Sequence, residues 1–300
     1  MTTRLADKLR TTGPIDLTTI PTDGTPGFDG DKDDGKDALG ELGDELADLQ
    51  ERLFAHGRVD AGDQRILLLL QGMDTSGKGG VMRHVAGLVD PQGLQITAFK
   101  KPTPEELDHD FLWRIEPRLP DPGMIGVFDR SQYEDVLIGR VRSVASADEI
   151  ERRYAAINEF EQRFVDSGGV LIKCFLHISP DDQAERLQER LDNPEKHWKY
   201  NPGDLDEREL WDEYRQAYQV ALERCSTTTA PWFVVPSGRK WYRNWAIATL
   251  LRDALTDLDL DWPTADFDVE AEKERLAASA GEGVQANKAS SGTRSTAPTA

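Results

Sequence analysis

Short apolar runs alternate with longer amphipathic stretches through the middle of the chain. The runs are brief, rich in aliphatic and β-branched residues, and bounded by Gly, Pro or Asp, a pattern typical of buried strands. We predict strands at Ile66–Leu70, Leu94–Phe99, Ile125–Phe128, Val170–Ile178 and Trp232–Val235. Strands that alternate with helices predict an α/β fold, with a five-stranded parallel sheet covered by helices on both faces.

Apolar residues recur at helical spacing between these strands. Asp37–His56 carries leucines at intervals of three and four, and Thr103 begins a capping pattern with Pro and Glu after it. Further helices are predicted at Lys78–Val89, Asp148–Ser167, Pro180–Leu191, Asp206–Arg224 and Trp241–Leu258. Because ligands of such folds bind beyond the carboxyl ends of the strands, functional motifs are expected there.

Composition narrows the class of protein. The 300 residues include 55 Asp+Glu against 36 Lys+Arg, a net charge of −19, which argues against a nucleic-acid-binding protein. Two cysteines are too few for a disulfide framework and favour a reducing, cytoplasmic setting. The first residues lack the apolar region of a secretory signal, and Ile66–Leu70 is the longest aliphatic run, too short to cross a membrane. We therefore expect a cytoplasmic protein that binds neither nucleic acid nor membrane.

The acidity is concentrated at the two ends of the chain. Residues 1–64 hold 15 acidic and 7 basic side chains, and residues 254–300 hold 9 acidic and 4 basic ones. We predict an acidic, Gly- and Pro-rich arm over residues 1–37 and one domain over residues 38–262. Residues 263–300, acidic and then small and polar, are predicted to be a disordered tail.

A phosphate-binding loop follows the first predicted strand. The segment from Gly72 to Gly80, GMDTSGKGG, fits G-x-x-x-x-G-K, in which backbone N–H groups bind phosphate oxygens at a helix N-terminus. Phosphate binding is accordingly predicted for Gly72, Thr75, Ser76, Gly77, Lys78, Gly79 and Gly80. The usual Ser or Thr ligand of Mg²⁺ after the Lys is Gly79 here, so Asp74 is the expected substitute. The alternative is a glycine-rich turn without a ligand, which the flanking strand and helix disfavour.

A second carboxylate, Asp129, follows the third predicted strand. An acid at the end of a buried strand beside a phosphate loop is the Walker B arrangement, which holds Mg²⁺. The alternative role is a helix N-cap, which is common for Asp at a strand end. The phosphate loop favours the metal site.

A basic and aromatic segment follows the fourth predicted strand. It carries Arg186, Arg190, Lys196 and Lys199, and prolines interrupt it. In phosphoryl-transfer kinases a mobile lid brings such cations onto the migrating group and excludes water, so residues 186–208 are predicted to form a helical lid. The alternative is a solvated helix face with ion pairs four residues apart.

Two further cations lie near the loop. Arg83 and Lys100 are candidates for binding a polyanionic donor beyond the transferred group, and the alternative for each is an ordinary surface charge. Trp113, Trp211, Trp241 and Trp245 lie in helical patterns and are interpreted as core or interface residues rather than stacking groups.

Three motifs, GMDTSGKGG, FDRSQYEDVL and RLDNPEKHWKYNPGD, together resemble the polyphosphate kinase 2 family over roughly residues 40–262. The resemblance implies a three-layer P-loop kinase fold and Mg²⁺-dependent phosphoryl transfer between inorganic polyphosphate and nucleotides. It also implies a homo-oligomer, a dimer of dimers. By motif it gives catalytic roles to Asp74, Lys78, Asp129, Arg130 and Arg190, and lid roles to Lys196, Lys199 and Asp204. Tyr133-Glu134-Asp135 resembles the subgroup that accepts nucleoside mono- and diphosphates, which implies that Glu134 places the acceptor or the metal.

Two other functions stay open on the sequence. One is an ATP-dependent nucleoside monophosphate or small-molecule kinase, and the other is a nucleotide-binding regulatory switch. The preferred base and the preferred acceptor length also stay open.

Overall fold

One parallel sheet organises the protein, of which a computed structural model describes residues 4–279. Its strands are β1 (Arg65–Gln71), β2 (Leu94–Ala98), β3 (Ile125–Asp129), β4 (Gly169–His177) and β5 (Trp232–Pro236). The strand order is β2-β3-β1-β4-β5, and every neighbouring pair is parallel. All five predicted strands are confirmed, each end within one residue of its predicted position.

Helices connect the strands, and the sequence predicted most of them. They are α1 (Leu5–Leu9), α2 (Lys32–Arg58), α3 (Lys78–His84), α4 (Pro104–Leu107), α5 (Glu134–Val141), α6 (Ala147–Asp166), α7 (Pro180–Asp192), α8 (Gly203–Arg208), α9 (Trp211–Cys225) and α10 (Lys240–Asp257). Short 3₁₀ turns lie at Ala86–Leu88, Pro91–Gly93, Glu116–Arg118 and Pro194–Lys199. The helix predicted from Asp206 to Arg224 is divided into α8 and α9, and α1 and α5 were not predicted.

Alternate residues of the central strand β1 belong to two separate cores. Leu68 and Leu70 of β1 pack in a core with residues of α2, α3 and α10. Leu67 and Leu69 pack on the other face with residues of α5, α6 and α9. Because a parallel sheet buries both faces, its strands read as nearly continuous apolar runs. The predicted three-layer α/β architecture is confirmed.

The N-terminal residues pack against the body of the protein, in contrast to the predicted arm. Leu5, Leu9 and Leu17 are buried, and Arg10 forms an antiparallel bridge to Phe233 on the β5 edge. Burial of these leucines removes apolar surface from water, which favours a docked segment over an extended one.

The helix predicted to start at Asp37 begins earlier, at Lys32. Asp31 accepts hydrogen bonds from the backbone N–H groups of Asp33 and Asp34, and the Asp34 carboxylate accepts one from the Asp31 N–H. This reciprocal cap satisfies N–H groups that would lack partners, so the acidic run belongs to the helix. The predicted arm, residues 1–37, therefore includes the first six residues of this helix.

The chain divides after Asp261 into the body and a C-terminal segment. Taken by itself, that segment is helical over residues 269–279, in contrast to the predicted disordered tail, and the rest of the predicted tail, 280–300, lies outside the described residues. None of the helices between residues 4 and 279 has the length and hydropathy that crossing a membrane requires.

Candidate active site

The phosphate loop connects the end of β1 to the start of α3. Gly77 has a φ angle of +107°, and a Cβ there would lie 1.8 Å from Nη1 of Arg243. Only glycine meets both conditions at this point. Thr75 has a φ angle of +66° without being glycine, a conformation that costs free energy and persists at functional sites because the surroundings hold it.

Two buried arginines support this loop from behind. Arg186 donates to the carbonyls of Thr75 (3.0 Å) and Ser76 (3.3 Å), and to those of Ser237 (2.5 Å) and Gly238 (3.0 Å). Arg243 also donates to the Ser76 carbonyl, at 3.4 Å. Burial, with a smaller effect of Arg186, lowers the pKa of the Arg243 guanidinium to about 10. Arg186 therefore anchors the loop, although the sequence placed it at the start of the lid.

Lys78 lies over the loop that it follows. Its Nζ donates to the Gly72 carbonyl at 2.8 Å and to the Met73 carbonyl at 3.4 Å. Burial, and then the nearby Arg130, lower the pKa of Lys78, while Asp74 opposes them. The hydroxyl oxygens of Thr75 and Ser76 are buried without a hydrogen-bond partner. The loop thus holds one cation and two polar groups that a phosphate oxygen could bind.

Asp129 ends β3 directly beside Leu70 of β1, where Walker B carboxylates lie. Its Oδ1 is buried and lacks a hydrogen-bond partner. The next residue, Arg130, has a φ angle of +64°, and its Nη2 lies 2.9 Å from Oδ1 of Asp74. The structure thus brings together the two carboxylates and the arginine that the motifs predicted.

Glu134 begins α5 and faces the same region. In the orientation of the Gln71 amide that satisfies both its nitrogen and its oxygen, the oxygen accepts from Ser131 and the amide nitrogen donates to Glu134 Oε1 at 3.0 Å. Burial raises the pKa of Glu134, and the charges of Arg130 and Lys78 partly oppose that effect. A carboxylate with an elevated pKa beside two cations at a cavity is typical of a functional site.

A cavity of about 400 Å³ opens at this point. Its wall contains four carboxylates, Asp74, Glu134, Asp204 and Glu207, but only two cations, Lys101 and Arg130. The aromatic side chains Trp211, Tyr214 and Tyr218 of α9 also line it, together with Gly72, Met73, Ile138, Gln183, Asn201 and Gly203. The wall is more acidic than the motifs indicated, and Trp211 is a half-buried residue of the cavity wall, not of the core.

The predicted lid residues are held differently from one another. Arg190 Nη1 lies 3.2 Å from Asp204 Oδ2 and 2.9 Å from the Lys199 carbonyl oxygen. Lys196 forms an ion pair with Glu189. Lys199 is exposed, with Nζ 4.9 Å from the centroid of the exposed Trp198 ring. Of these predicted residues, Asp204 lines the cavity, whereas Arg190, Lys196 and Lys199 do not.

Two further predicted binding residues are not brought to the cavity. Arg83 lies exposed in the last turn of α3, and Lys100 is exposed after β2. The neighbouring Lys101 lines the cavity instead. Both lysines lie beyond the end of β2 at Ala98, where side chains no longer alternate between two faces, so the apolar pattern did not distinguish them.

The chain matches a known protein family. The family described as Polyphosphate kinase 2 matches residues 29–261. The chain belongs to the polyphosphate kinase 2 family. It is therefore an enzyme, a polyphosphate phosphotransferase with a P-loop kinase fold, as the motifs implied.

Relatives of this polyphosphate kinase 2 chain match most of its length. An AMP/ADP-polyphosphate phosphotransferase from Meiothermus ruber is 43% identical over 251 residues, 84% of this chain and 92% of the relative. An ADP-polyphosphate phosphotransferase from Rhodopseudomonas palustris is 37% identical, over 83% of this chain and 88% of the relative. The protein in the crystal structure of polyphosphate kinase 2 from Arthrobacter aurescens TC1 is 55% identical in sequence to this chain. The match covers 92% of this chain and 97% of that one, with a TM-score of 0.89.

Sequence reasoning missed part of the site of this family member. The missed residues are Arg243 behind the loop, and Lys101, Gln183, Glu207, Tyr214 and Tyr218 around the cavity. A signal existed for the aromatic residues, because Trp211, Tyr214 and Tyr218 recur at helical spacing on one side of α9. No local signal distinguished Arg243 from other helical arginines.

Proposed function

We propose that this enzyme transfers phosphoryl groups from inorganic polyphosphate to AMP and ADP, with Mg²⁺ as its metal ion. The observation that carries the proposal is the cavity, where the phosphate loop, the Asp74–Arg130 pair and Glu134 meet. The name of the Meiothermus ruber relative, which pairs AMP and ADP with polyphosphate, supports the same two acceptors.

Asp129 and Asp74 are the residues we assign to Mg²⁺. The unpartnered, buried Oδ1 of Asp129 fits an oxygen that a metal ion binds. Between residues 4 and 279, no group of three or more metal-ligating side chains occurs. Mg²⁺ does not need one, because it often binds one or two carboxylates together with phosphate oxygens and water. Bound there, the ion supplies charge neutralisation between donor and acceptor oxygens.

The protein's own residues position the two phosphate chains and stabilise the charge on the migrating group. Lys78, bound to loop carbonyls without substrate, provides an ammonium that phosphate oxygens can take over. Arg130 and Arg190 place guanidinium charge beside the transferred group, and such fixed cations are worth most where water is excluded. An acceptor phosphate oxygen is already ionised near neutral pH, so the transfer requires no strong general base.

The acceptor nucleotide occupies the cavity in this proposal. Trp211 and Tyr214 offer flat apolar faces on which a nucleobase stacks, which is worth about 1–3 kcal/mol per base. Glu134 orients the acceptor phosphate, through Arg130 or through the metal. The acidic wall favours a nucleotide bound with Mg²⁺ over a free polyanion, because like charges repel at short range.

The donor chain extends away from the cavity toward the lid. Lys199 is an exposed cation and Lys196 a half-buried one, so a flexible polyanion can reach both. Asp204 holds Arg190 in place through its ion pair. Arg83 and Lys100 do not contact the acceptor in this proposal. The homo-oligomeric state stays a prediction.

Purified enzyme, Mg²⁺, polyphosphate and AMP, with ATP left out, test the reaction. We expect ADP to form and ATP to follow, measured by chromatography of the nucleotides. An ATP-dependent monophosphate kinase would form neither product under these conditions. A regulatory switch would instead hydrolyse nucleotide slowly without an acceptor. Absence of any product from AMP and from ADP would contradict the proposed acceptors.

Removal of the two lid lysines tests the donor site. The variant Lys196→Ala/Lys199→Ala should raise the KM for polyphosphate at least fivefold and leave the free energy of unfolding nearly unchanged, because exposed ion pairs contribute about 0–1 kcal/mol. The KM for AMP is the internal control and should not change. Unchanged polyphosphate kinetics would contradict a lid that holds the donor.

A further inference from the structure

A buried ion pair lies behind the turn that carries Arg130 and Glu134. Lys173 of β4 has its Nζ 2.5 Å from Oε2 of Glu161 of α6, and the two side chains are 0% and 1% exposed. The hydroxyl of Tyr133 accepts from Lys173 Nζ at 3.1 Å and donates to Glu161 Oε1 at 2.8 Å. Tyr133, the residue immediately before Glu134, is therefore hydrogen-bonded to both members of the ion pair.

The pair also binds its surroundings on three further sides. Gln132 Nε2 donates to Glu161 Oε1 at 3.0 Å, and Lys173 Nζ donates to the Cys225 carbonyl at 2.6 Å. The Lys173 ammonium lies 5.3 Å from the centroid of the Trp232 ring. Two consecutive residues of the turn are thus tied to α6, β4 and the end of α9.

Stability alone does not account for this pair. Removing two charges from water costs several kcal/mol per ion, and apolar residues of the same size often stabilise a core equally well or better. Directional hydrogen bonds, by contrast, fix the position of the groups that they join. A buried pair that holds two neighbouring side chains suits the control of geometry.

The turn transmits that geometry to the cavity. Gln132 and Tyr133 face the ion pair, whereas Arg130 and Glu134 face the cavity. The backbone between them is tight, since Arg130 has a φ angle of +64° and the Glu134 N–H donates to the Ser131 carbonyl at 3.2 Å. In so short a turn the inward and the cavity-facing side chains cannot move independently.

We propose that Lys173 and Glu161 are positioning residues, which hold Glu134 in the acceptor cavity through Tyr133 and Gln132. The inference rests on the proposed function, in which Glu134 orients the acceptor. On this assignment, loss of the ion pair lowers kcat/KM for the acceptor because Glu134 is displaced, and not only because the protein is less stable.

A double-mutant cycle tests the assignment. The variant Lys173→Met/Glu161→Gln removes both charges, keeps the side-chain size and leaves an acceptor oxygen for Tyr133. We expect kcat/KM for AMP, at saturating polyphosphate, to fall about tenfold in the wild-type background. In the Glu134→Gln background the same change should lower kcat/KM less than twofold, because the group being positioned is already gone.

A structural role predicts a different result. Equal falls in both backgrounds, or no fall in a folded variant, would overturn the proposal. Cys174→Ala is the matched control, since it lies on the same strand with its side chain in the opposite core, and it should lower the thermal midpoint without changing AMP kinetics.

Two further measurements keep the test decisive. If the charge-removal variant does not fold, Tyr133→Phe removes only the bridging hydroxyl, and we expect a threefold fall in kcat/KM that disappears with Glu134→Gln. Unchanged kinetics of Tyr133→Phe would then overturn the proposal. If wild-type enzyme phosphorylates ADP but not AMP, the proposed acceptor is wrong, and the same cycle measured with ADP still decides the positioning role.

Discussion

The contrast between Arg186 and Arg190 yields the sharpest prediction. Arg186 is 8% exposed and donates to four carbonyl oxygens, two of them in the phosphate loop. The four bonds share one guanidinium and are coupled, so their separate values do not add. Removing one member of a buried charged network typically costs about 3–5 kcal/mol. Arg186→Met should therefore lower the free energy of unfolding by about 3–5 kcal/mol.

Arg190→Met is the same chemical change one helical turn away. The Arg190 side chain is 23% exposed and binds Asp204 and one carbonyl, so its loss should cost less than about 1 kcal/mol. Because Arg190 is proposed to act on the migrating phosphoryl group, kcat should fall at least tenfold in that variant.

Urea unfolding followed by tryptophan fluorescence, together with initial rates at 25 °C, measures both quantities for both variants. The reasoning is refuted if Arg186→Met loses less than about 1 kcal/mol of stability while kcat falls tenfold, since that is the behaviour of a lid cation.

Three other predictions test separate features. At Gly35 a Cβ would lie 2.1 Å from Trp241 Cε3, so Gly35→Ala should destabilise the protein by about 1–3 kcal/mol in urea unfolding. At Gly40 a Cβ would have nothing within 4 Å, so Gly40→Ala should stabilise the protein by about 0.5–1 kcal/mol. Equal effects of the two substitutions would contradict the packing of α2 on α10. Burial raises the pKa of Glu134 above its ordinary 4.5, so the fold favours the neutral carboxyl, and the stability that this group contributes is lost as pH rises through its folded pKa. Without Mg²⁺ and nucleotide, Glu134→Gln should raise the thermal midpoint more at pH 8 than at pH 5, and an equal rise at both would show an unshifted pKa. Asp129→Asn should raise the Mg²⁺ concentration for half-maximal activity at least tenfold, and an unchanged Mg²⁺ dependence would exclude Asp129 as a ligand.

Local patterns were sufficient for the sheet and the loop. The strands are apolar because a parallel sheet is buried on both faces, and Gly72 and Gly77 of the loop adopt positive φ angles that favour glycine. Both patterns lie within short segments, so the order of strand, loop and helix could be predicted from residues close together in the chain. The beginning of α2 was not, because an acidic run with two glycines resembles a solvated arm unless the cap at Asp31 is considered.

Tertiary structure decided which of several similar side chains reach the site. Lys100 and Lys101 are adjacent, and only Lys101 lines the cavity. Tyr133 and Glu134 are adjacent too, and they face a buried ion pair and the cavity respectively.

The sequence by itself therefore determined the α/β class, the phosphate loop and the family, because each depends on residues close together in the chain. The tertiary structure decided that Arg186 and Arg243 support the loop and that α9 forms an aromatic wall. Those roles depend on the direction of a side chain and on what packs behind it. Both are fixed only when distant segments, such as α7 and the end of β5, meet at one edge of the sheet.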